Sequence, residues 1–317
     1  MEKIENILQR VEASKPFVAL RKEHKRESVT VHLENLVGGA LSLYSSALIA
    51  RAGGIHVFVA EDRDAAAYML NDFYALLNEE QVHFFPTSYK RSILYGKEDV
   101  QGVVQRTNAL NAIRHHRQGY LVICTYPEAL AERVAGAVEL SEHSVKVSRG
   151  DNIKIAELVD ILEQLGFERV DFVYEPGQYS VRGGIVDIFS YAESRPYRLD
   201  FFGDEVDSLR SFEIGNQLSS ERLDSVNIIS NINGGGGNTV SFASFAGGEA
   251  TYWFYDGDYA LKKVDDVRVK FLNQSDEPEI ATGLLTSRME LLKDMAGSTL
   301  LSLHNNLLER PATSTVL

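Results

Sequence analysis

The chain has 317 residues, of which 44% are apolar and 24% charged, a composition typical of a soluble globular protein of two or three domains. It carries 32 Lys and Arg against 45 Asp and Glu, so its formal net charge is −13. This balance disfavours a protein that binds nucleic acid with its whole surface, because such a surface must be broadly positive. Only a local basic patch could bind an anionic partner.

Cysteine content and the N-terminal pattern restrict the compartment. The single cysteine, Cys124, excludes an internal disulfide framework, and one thiolate cannot by itself form a structural zinc site. The N-terminus is charged and amphipathic, lacks the apolar core of a signal peptide, and no apolar run approaches about 18 residues. We therefore expect a cytoplasmic protein with no membrane association.

The first 140 residues alternate helices with short apolar strands. Residues 1–30 predict a short surface helix and a charged connector. The pattern then predicts strands at 55–60, 82–86 and 120–125 and helices at 62–77, 99–116 and 127–136. The strand IHVFVA at 55–60 is apolar throughout, as expected for a strand that is buried on both faces of a parallel sheet. Such alternation predicts an α/β domain with a parallel sheet.

From about residue 141 the pattern changes to α+β. Asp151 is a candidate cap for a helix over 153–165, which Gly166 would end in a left-handed conformation. Strands are predicted at 144–148, 169–174, 179–190, 196–202 and 205–214. The turn FGDE at 202–205 joins the last two strands as an antiparallel hairpin. We expect residues 141–230 to form a separate domain.

Beyond residue 230 the sequence is less regular. The run GGGGN at 234–238 is expected to be a flexible connector. Strands are predicted at 240–245, 251–255 and 267–271, and one or two helices over 283–309 with a break near Gly297. Because a distant segment can complete a parallel sheet, residues 231–317 are assigned to the first domain, with 1–140 as its first part.

A glycine pair, Gly38 and Gly39, precedes a helical segment upstream of the strand at 55–60. A working phosphate loop needs GxxxxGK followed by Ser or Thr, whose Lys meets the β and γ phosphates. No Lys occurs between Lys25 and Lys90, and the second Gly of the pattern is absent. The pair therefore indicates a degenerate site.

No catalytic or metal constellation stands out elsewhere. His115 and His116 are adjacent, whereas ligands that share one helix face lie three or four residues apart. The carboxylates around the turn at 200–207 are typical of a solvated end, and no GxSxG motif is present. We predict no catalytic residues, no metal and no cofactor.

The hairpin PYRLDFFGDEVDSLR carries a more distinctive feature. Strand alternation places Tyr197, Leu199 and Phe201 on one apolar face, and Arg198, Asp200 and Phe202 on the other. An exposed aromatic side chain beside an arginine is typical of hot spots in protein interfaces. Alternatively, Phe202 only closes the end of the hairpin and Arg198 pairs with Asp200 or Asp207.

A second arginine, Arg182, precedes Gly183 and Gly184, which suggest a bulge or a close approach of backbones. A bulge would leave the face of Arg182 undetermined. Residues 144–230 contain nine basic and sixteen acidic side chains, a balance of −7. A domain this acidic is a poor DNA reader, so a protein partner is favoured for these arginines.

The strings RVDFVYEPGQYSVRGGIVDIF and PYRLDFFGDEVDSLRSFE resemble the inter-domain module shared by UvrB and the bacterial transcription-repair coupling factors (Mfd). FFPTSYKRSILYGKEDVQGVVQRTNALN and LVICTYPEALAERV are similar to the first domain of the coupling factors. The likeness covers about residues 35–230. UvrB keeps a phosphate-binding Lys that the coupling factors lack, so the sequence at Gly38 and Gly39 matches the coupling factors.

This resemblance implies a degenerate helicase-like domain of the P-loop NTPase type with an inserted UvrB-type module. In the family that module binds UvrA, and the family's contact residues fall on Arg182, Arg198 and Phe202. We therefore expect a non-catalytic adaptor that recruits UvrA to stalled RNA polymerase, with RNA polymerase and DNA bound by regions outside this chain. A nucleotide-binding, DNA-dependent ATPase is the alternative. Arg198→Ala or Phe202→Ala is expected to weaken UvrA binding without unfolding the protein.

Overall fold

The computed structural model describes residues 2–24, 30–32, 39–90, 98–232, 238–275, 280–302 and 315–316. The chain forms two compact units. Unit 1 comprises Met1–Lys97, Ala112–Val134 and Thr239–Leu317, and unit 2 comprises Glu98–Asn111 and Ala135–Asn238. Gly38 and the glycine run 234–237 lie outside the described residues.

The described helices and strands have the following bounds. The α-helices are α1 (Glu2–Glu12), α2 (Lys15–His24), α3 (Ala40–Ala52), α4 (Arg63–Leu76), α5 (Val100–His115), α6 (Pro127–Ala131), α7 (Ala137–Glu142), α8 (Ile155–Gln164), α9 (Phe242–Ala246), α10 (Gly257–Gln274), α11 (Ala281–Leu284) and α12 (Arg288–Asp294). The strands are β1 (Thr30–His32), β2 (Gly54–Val59), β3 (Val82–Phe85), β4 (Tyr120–Thr125), β5 (Val134–Ala135), β6 (Ser144–Ser148), β7 (Glu168–Arg169), β8 (Gln178–Arg182), β9 (Ile185–Ile188), β10 (Tyr197–Phe202), β11 (Glu205–Phe212), β12 (Ser219–Leu223), β13 (Ser225–Ile229), β14 (Thr239–Val240), β15 (Thr251–Phe254), β16 (Thr299–Ser302) and β17 (Thr315–Val316). None of the helices in the described ranges is long and apolar enough to cross a membrane.

Unit 1 is built on a seven-stranded sheet of order β17-β1-β16-β15-β2-β4-β3. All of its strand pairs are parallel, which confirms the predicted parallel sheet. Strand β2 lies between β15 and β4, and its four consecutive residues from His56 to Val59 are buried, as expected for a strand covered on both faces. Strands β15 and β16, which come late in the chain, occupy the middle of this sheet.

The N-terminal segment departs from the prediction of one short helix and a connector, because it forms two helices, α1 and α2. The break falls at Ser14, whose hydroxyl accepts a hydrogen bond from the backbone N–H of Phe17 at 3.4 Å. Phe17 and Leu20 on α2 are buried. The segment predicted as a charged connector therefore contributes to the core.

Helix α6 begins at Pro127 as predicted but ends at Ala131, short of the predicted end near Gly136. The reason is tertiary. The N–H of Thr286 donates to the carbonyl of Ala131, and the N–H of Arg133 donates to the carbonyl of Leu284, both at 2.9 Å. These bonds use the backbone groups that a longer helix would need.

Two strand predictions near the C-terminus are wrong. Residues 240–245 form α9 after a two-residue strand, because the hydroxyl of Ser241 caps the helix by accepting from the N–H of Ser244. Residues 267–271 lie within α10, whose buried Leu261, Val264 and Phe271 recur at helical spacing. The alternation in VRVKF does not reflect a strand.

The predicted helical region 283–309 is only partly helical where it is described. It contains α11 and α12 and then strand β16, and residues 303–309 lie outside the described part. Strand β16 pairs with β15 on one side and β1 on the other. The apolar run TLLS is therefore a buried strand, which helical periodicity did not distinguish.

Unit 2 contains a six-stranded sheet of order β12-β11-β10-β9-β8-β7. Its pairs are antiparallel except β7–β8, and β6 and β13 form a separate antiparallel pair. The core of the unit joins helix α8, the β6–β13 pair and one face of the sheet. Its buried members are Val147, Leu158, Leu162, Phe167, Tyr179, Val186, Ile188, Tyr197, Leu199, Val206, Leu209, Val226 and Ile228.

Three local predictions in unit 2 have different outcomes. Asp151 does not cap α8, because its carboxylate accepts from the N–H of Ser148 at 2.7 Å, and Lys154 occupies the cap position. Gly166 has φ +79°, which confirms the left-handed end of this helix. Of the strand predicted at 169–174, only Arg169 lies in a strand, β7, which begins at Glu168.

A buried histidine joins two strands and a helix of unit 1. The Nε1–H of Trp253 donates to Nδ1 of His56 at 3.2 Å, so Nε2 of His56 carries the proton and donates to the carbonyl of Gly53 at 3.0 Å. The ring of His24 on α2 stacks on His56 with centroids 5.8 Å apart. Burial, with a smaller contribution from the nearby His24, lowers the pKa of His56 to about 3.

Acid should therefore destabilise unit 1 through His56. Its folded pKa is lowered, so its contribution to stability is complete above about pH 6.5 and declines as the pH falls, because only the unfolded chain takes up the proton. We expect a loss of about 1.4 kcal/mol per pH unit below about pH 6.5. His56→Gln keeps a donor for Gly53 but does not titrate. Urea unfolding of both proteins at pH 7.5 and 5.0 measures the difference, and parallel pH profiles would contradict this assignment.

Candidate functional site

Strands β10 and β11 form the predicted antiparallel hairpin, with a register shift between Asp200 and Phe201. Leu199 lies opposite Leu209, and Arg198 lies opposite Arg210. Tyr197 and Leu199 are buried in the core of unit 2, and Phe201 packs partly against it. The exposed face of β10 therefore carries the alternate residues, as the strand period predicts.

Phe202 is the last residue of β10, directly before the turn at Gly203, which has φ +66°. Its side chain is 83% exposed. A ring this exposed contributes little burial at the end of the hairpin, and a docking role for Phe202 stays a prediction. The protein presents a large apolar group to solvent at this position.

Arg198 is held inside the site and is only 13% exposed in its side chain. Its Nε and Nη2 donate to the two carboxylate oxygens of Asp187 at 2.7 and 2.9 Å, which is a bidentate pair. Its guanidinium lies 4.4 Å from the ring centroid of Phe212. The hydrogen bonds to Asp187 raise the pKa of Arg198 above its ordinary value. The suggested pairing with Asp200 or Asp207 is wrong.

Gln217 completes the environment of Arg198. Its backbone carbonyl accepts from Nη1 at 3.2 Å, and its side-chain Oε1 accepts from Nη2 at 3.3 Å. Gln217 has φ +60°, the left-handed region that costs a non-glycine residue free energy. Four of the five N–H donors of Arg198 are thus used within the protein.

The face of Arg182, which the sequence leaves open, is settled by its contacts. Its Nη2 donates to Asp187 at 2.5 Å, so it shares the carboxylate that binds Arg198. Its Nη1 donates to the carbonyl of Asp171 at 3.1 Å and to the hydroxyl of Ser180 at 3.2 Å. The Arg182 side chain is 35% exposed, more than that of Arg198.

Asp187 is the residue that sequence reasoning missed. It is 1% exposed and binds both arginines, so the three side chains together carry one excess positive charge. Cross-strand register places Asp187 directly between Ser180 on β8 and Arg198 on β10. The available signal was a lone aspartate within the apolar string GIVDIF, since a buried carboxylate requires a cationic partner.

The turn between β8 and β9 brings Arg182 and Phe202 to one end of the sheet. Gly183 has φ +61°, and the N–H of Phe201 donates to the carbonyl of Gly184 at 2.8 Å. A Cβ on Gly184 would lie 3.1 Å from the carbonyl oxygen of Phe201. The predicted close approach is therefore confirmed, but the single strand predicted at 179–190 is wrong, because Gly183 and Gly184 form the turn between the antiparallel strands β8 and β9.

The glycine pair of unit 1 is only half described. Gly39 is the N-cap of α3, and its carbonyl accepts from the N–H of Leu43 at 3.1 Å. Gly38 lies outside the described residues, so the degenerate phosphate loop stays a prediction. In the described ranges no three His, Cys, Asp or Glu side chains group closely enough to hold a metal ion.

Residues 145–233 match the family model described as the UvrB interaction domain. They include the six-stranded sheet and the cluster that Arg182, Asp187 and Arg198 form, so unit 2 carries a UvrB-type interaction domain. The chain is similar to the transcription-repair-coupling factor of Bacillus subtilis (strain 168), with 31% identity over 197 residues, 62% of this chain and 16% of that protein.

Other relatives agree with this likeness. The transcription-repair-coupling factor of Escherichia coli (strain K12) is 32% identical over 127 residues, 40% of this chain and 11% of that protein. UvrABC system protein B of Thermotoga neapolitana is 24% identical over 207 residues, 61% of this chain and 31% of that protein. The match thus spans about a sixth of the length of the coupling factor from Bacillus subtilis.

Replacement of Asp187 should destabilise unit 2 strongly. Asp187→Asn leaves two arginines without their buried counter-charge, and we expect it to lower the free energy of unfolding by about 3 kcal/mol. Asp200→Asn is the matched control, since Asp200 pairs with Arg210 at a more exposed position and should cost less than about 1 kcal/mol. Urea unfolding measures both values. Equal losses would show that Asp187 has no special role.

Proposed function

We propose that this chain is the non-catalytic adaptor region of a transcription-repair coupling factor and that it binds UvrA through Arg182, Arg198 and Phe202. In this role it recruits UvrA, a nucleotide-excision-repair protein, to RNA polymerase that has stalled at DNA damage. Contacts with RNA polymerase and DNA belong to other regions of the coupling factor. We also propose that it acts in the cytoplasm.

The observation that carries this proposal is the exposure of Phe202 on the sheet face that carries the cluster of Arg182, Asp187 and Arg198, in a UvrB-type interaction domain. Interface hot spots are enriched in aromatic and arginine side chains that bury on binding. Phe202 is free to insert into a pocket of the partner, and the cluster's excess positive charge favours an acidic partner surface. The names of the relatives support a role in DNA repair.

The two arginines have different parts in this binding. Arg182 offers the more accessible charge, whereas Arg198 holds Asp187 and the turn at Gln217 in place. Arg198→Ala is therefore expected to lower stability as well as affinity, because it removes a partner from a buried carboxylate. This replaces the simpler expectation that the variant leaves the fold unaffected.

We further propose that unit 1 is a degenerate helicase-like domain of the P-loop NTPase type. Its seven-stranded parallel sheet and the absence of a phosphate-binding Lys beside Gly39 support this assignment. The domain boundaries at residues 140 and 230 stay predictions. A DNA-dependent ATPase remains the alternative function, and an observed binding of nucleotide would favour it.

Phe202→Ala tests the docking role without disturbing the fold. We expect UvrA binding to weaken by about 1 to 3 kcal/mol, the range of a hot spot, with no loss of thermal stability, since the ring is exposed. Val138→Ala is the control, because Val138 is another exposed apolar residue of unit 2. Isothermal titration with UvrA provides the affinities. If both variants bind as wild type does, the docking assignment is wrong.

The non-catalytic assignment makes a separate prediction. A nucleotide that binds the folded state raises its stability once its concentration exceeds the Kd. We expect no change in melting temperature with millimolar Mg-ATP and no ATP hydrolysis with or without duplex DNA. A dose-dependent rise in melting temperature would favour the ATPase instead.

A further inference from the structure

The loop between β7 and β8 is held firmly against the sheet. The hydroxyl of Ser180 donates to the carbonyl of Asp171 at 2.8 Å, and the N–H groups of Tyr174 and Glu175 donate to the side chain of Gln178 at 2.9 and 3.0 Å. Val173 within the loop is fully buried. The loop therefore presents its flanking residues in a fixed position.

Phe172 lies in this loop and is 47% exposed. The guanidinium of Arg182 lies 4.9 Å from the centroid of its ring, within the range of a cation–π contact. Arg182 also donates to the carbonyl of Asp171, so backbone and ring together orient one guanidinium. Phe172 is thus part of the arginine cluster while half of its surface faces solvent.

The distribution of phenylalanine singles out this position. The chain has fifteen phenylalanines, all in the described part, and Phe172 and Phe202 are the two that are exposed. Both relate to the turn at Gly183 and Gly184. Phe172 contacts Arg182, the residue before this turn, and Phe202 follows Phe201, whose N–H donates to the carbonyl of Gly184. Exposed phenylalanine rings on the sheet face that carries Arg182 match the composition of a hot spot.

We propose that Phe172 is a further docking residue of the UvrA-binding surface, and that Phe172, Arg182 and Phe202 together receive an apolar side chain of UvrA flanked by a carboxylate. This proposal rests on the proposed function. The partially exposed Arg182 supplies the positive charge, and the two exposed rings supply apolar area that docking can bury. Docking covers apolar surface that the free protein leaves in water.

Isothermal titration of the whole chain with UvrA tests this role. We expect Phe172→Ala to weaken binding at least tenfold. Tyr174→Ala is the matched control and should change affinity less than twofold, since Tyr174 is an exposed aromatic of the same loop on which no arginine stacks among the described residues. Phe172→Glu should weaken binding at least as much as Phe172→Ala, because its carboxylate would pair with Arg182. Thermal unfolding checks that each variant is folded.

The outcomes separate the two proposals. Wild-type affinity in Phe172→Ala or Phe172→Glu, with binding weakened in Phe202→Ala, overturns the role of Phe172 and leaves the proposed function standing. Equal losses in Phe172→Ala and Tyr174→Ala also overturn it, because the effect would then belong to the loop as a whole. Failure of the wild-type chain to bind UvrA overturns both proposals.

Discussion

The arrangement of the proposed docking face depends on one buried carboxylate, Asp187. Two guanidiniums converge on it, and each is tied to a segment outside the regular strands: Arg182 to the carbonyl of Asp171, and Arg198 to Gln217. A buried carboxylate is tolerated only with such partners, because desolvation of an unpaired charge costs several kcal/mol. The requirement to neutralise Asp187 therefore orders two loops as well as two side chains.

This constraint changes what the arginines can offer a partner. Since most donors of Arg198 are used internally, the side chain behaves as part of the scaffold, and the exposed apolar groups carry more of the available binding energy. These internal contacts fix the side-chain rotamer of Arg198 in the free protein. The side chain therefore loses little conformational entropy when a partner binds. The contacts with Arg198 hold Gln217 in a left-handed backbone conformation that costs a non-glycine residue free energy.

Sequence periodicity correctly predicted the structural features that depend on the spacing of residues within one segment. The faces of β10 follow from alternation along one strand, and the parallel sheet follows from helices between apolar strands. Asp187 was missed because its partners depend on the register among three strands, which is a tertiary property. The strand predicted at VRVKF failed for a related reason, since a five-residue alternation carries less information than the helical spacing of the whole of α10.

The six-stranded sheet of unit 2 places several cationic side chains on one face, although residues 144–230 are acidic as a whole. Arg198, Arg210 and Arg222 lie in register on neighbouring strands, and Arg182 shares their face, so four of the nine cations within residues 144–230 gather on one surface. Like charges opposite one another are unfavourable, and Asp187 and Asp200 offset only part of this repulsion. Charges farther away than a screening length of about 10 Å are largely screened, so a partner in contact interacts mainly with the positive face. The balance of −7 over residues 144–230 disfavours the broad contact that nucleic acid needs. A local positive face within a net acidic segment therefore favours a small protein contact over the extended contact of a nucleic acid.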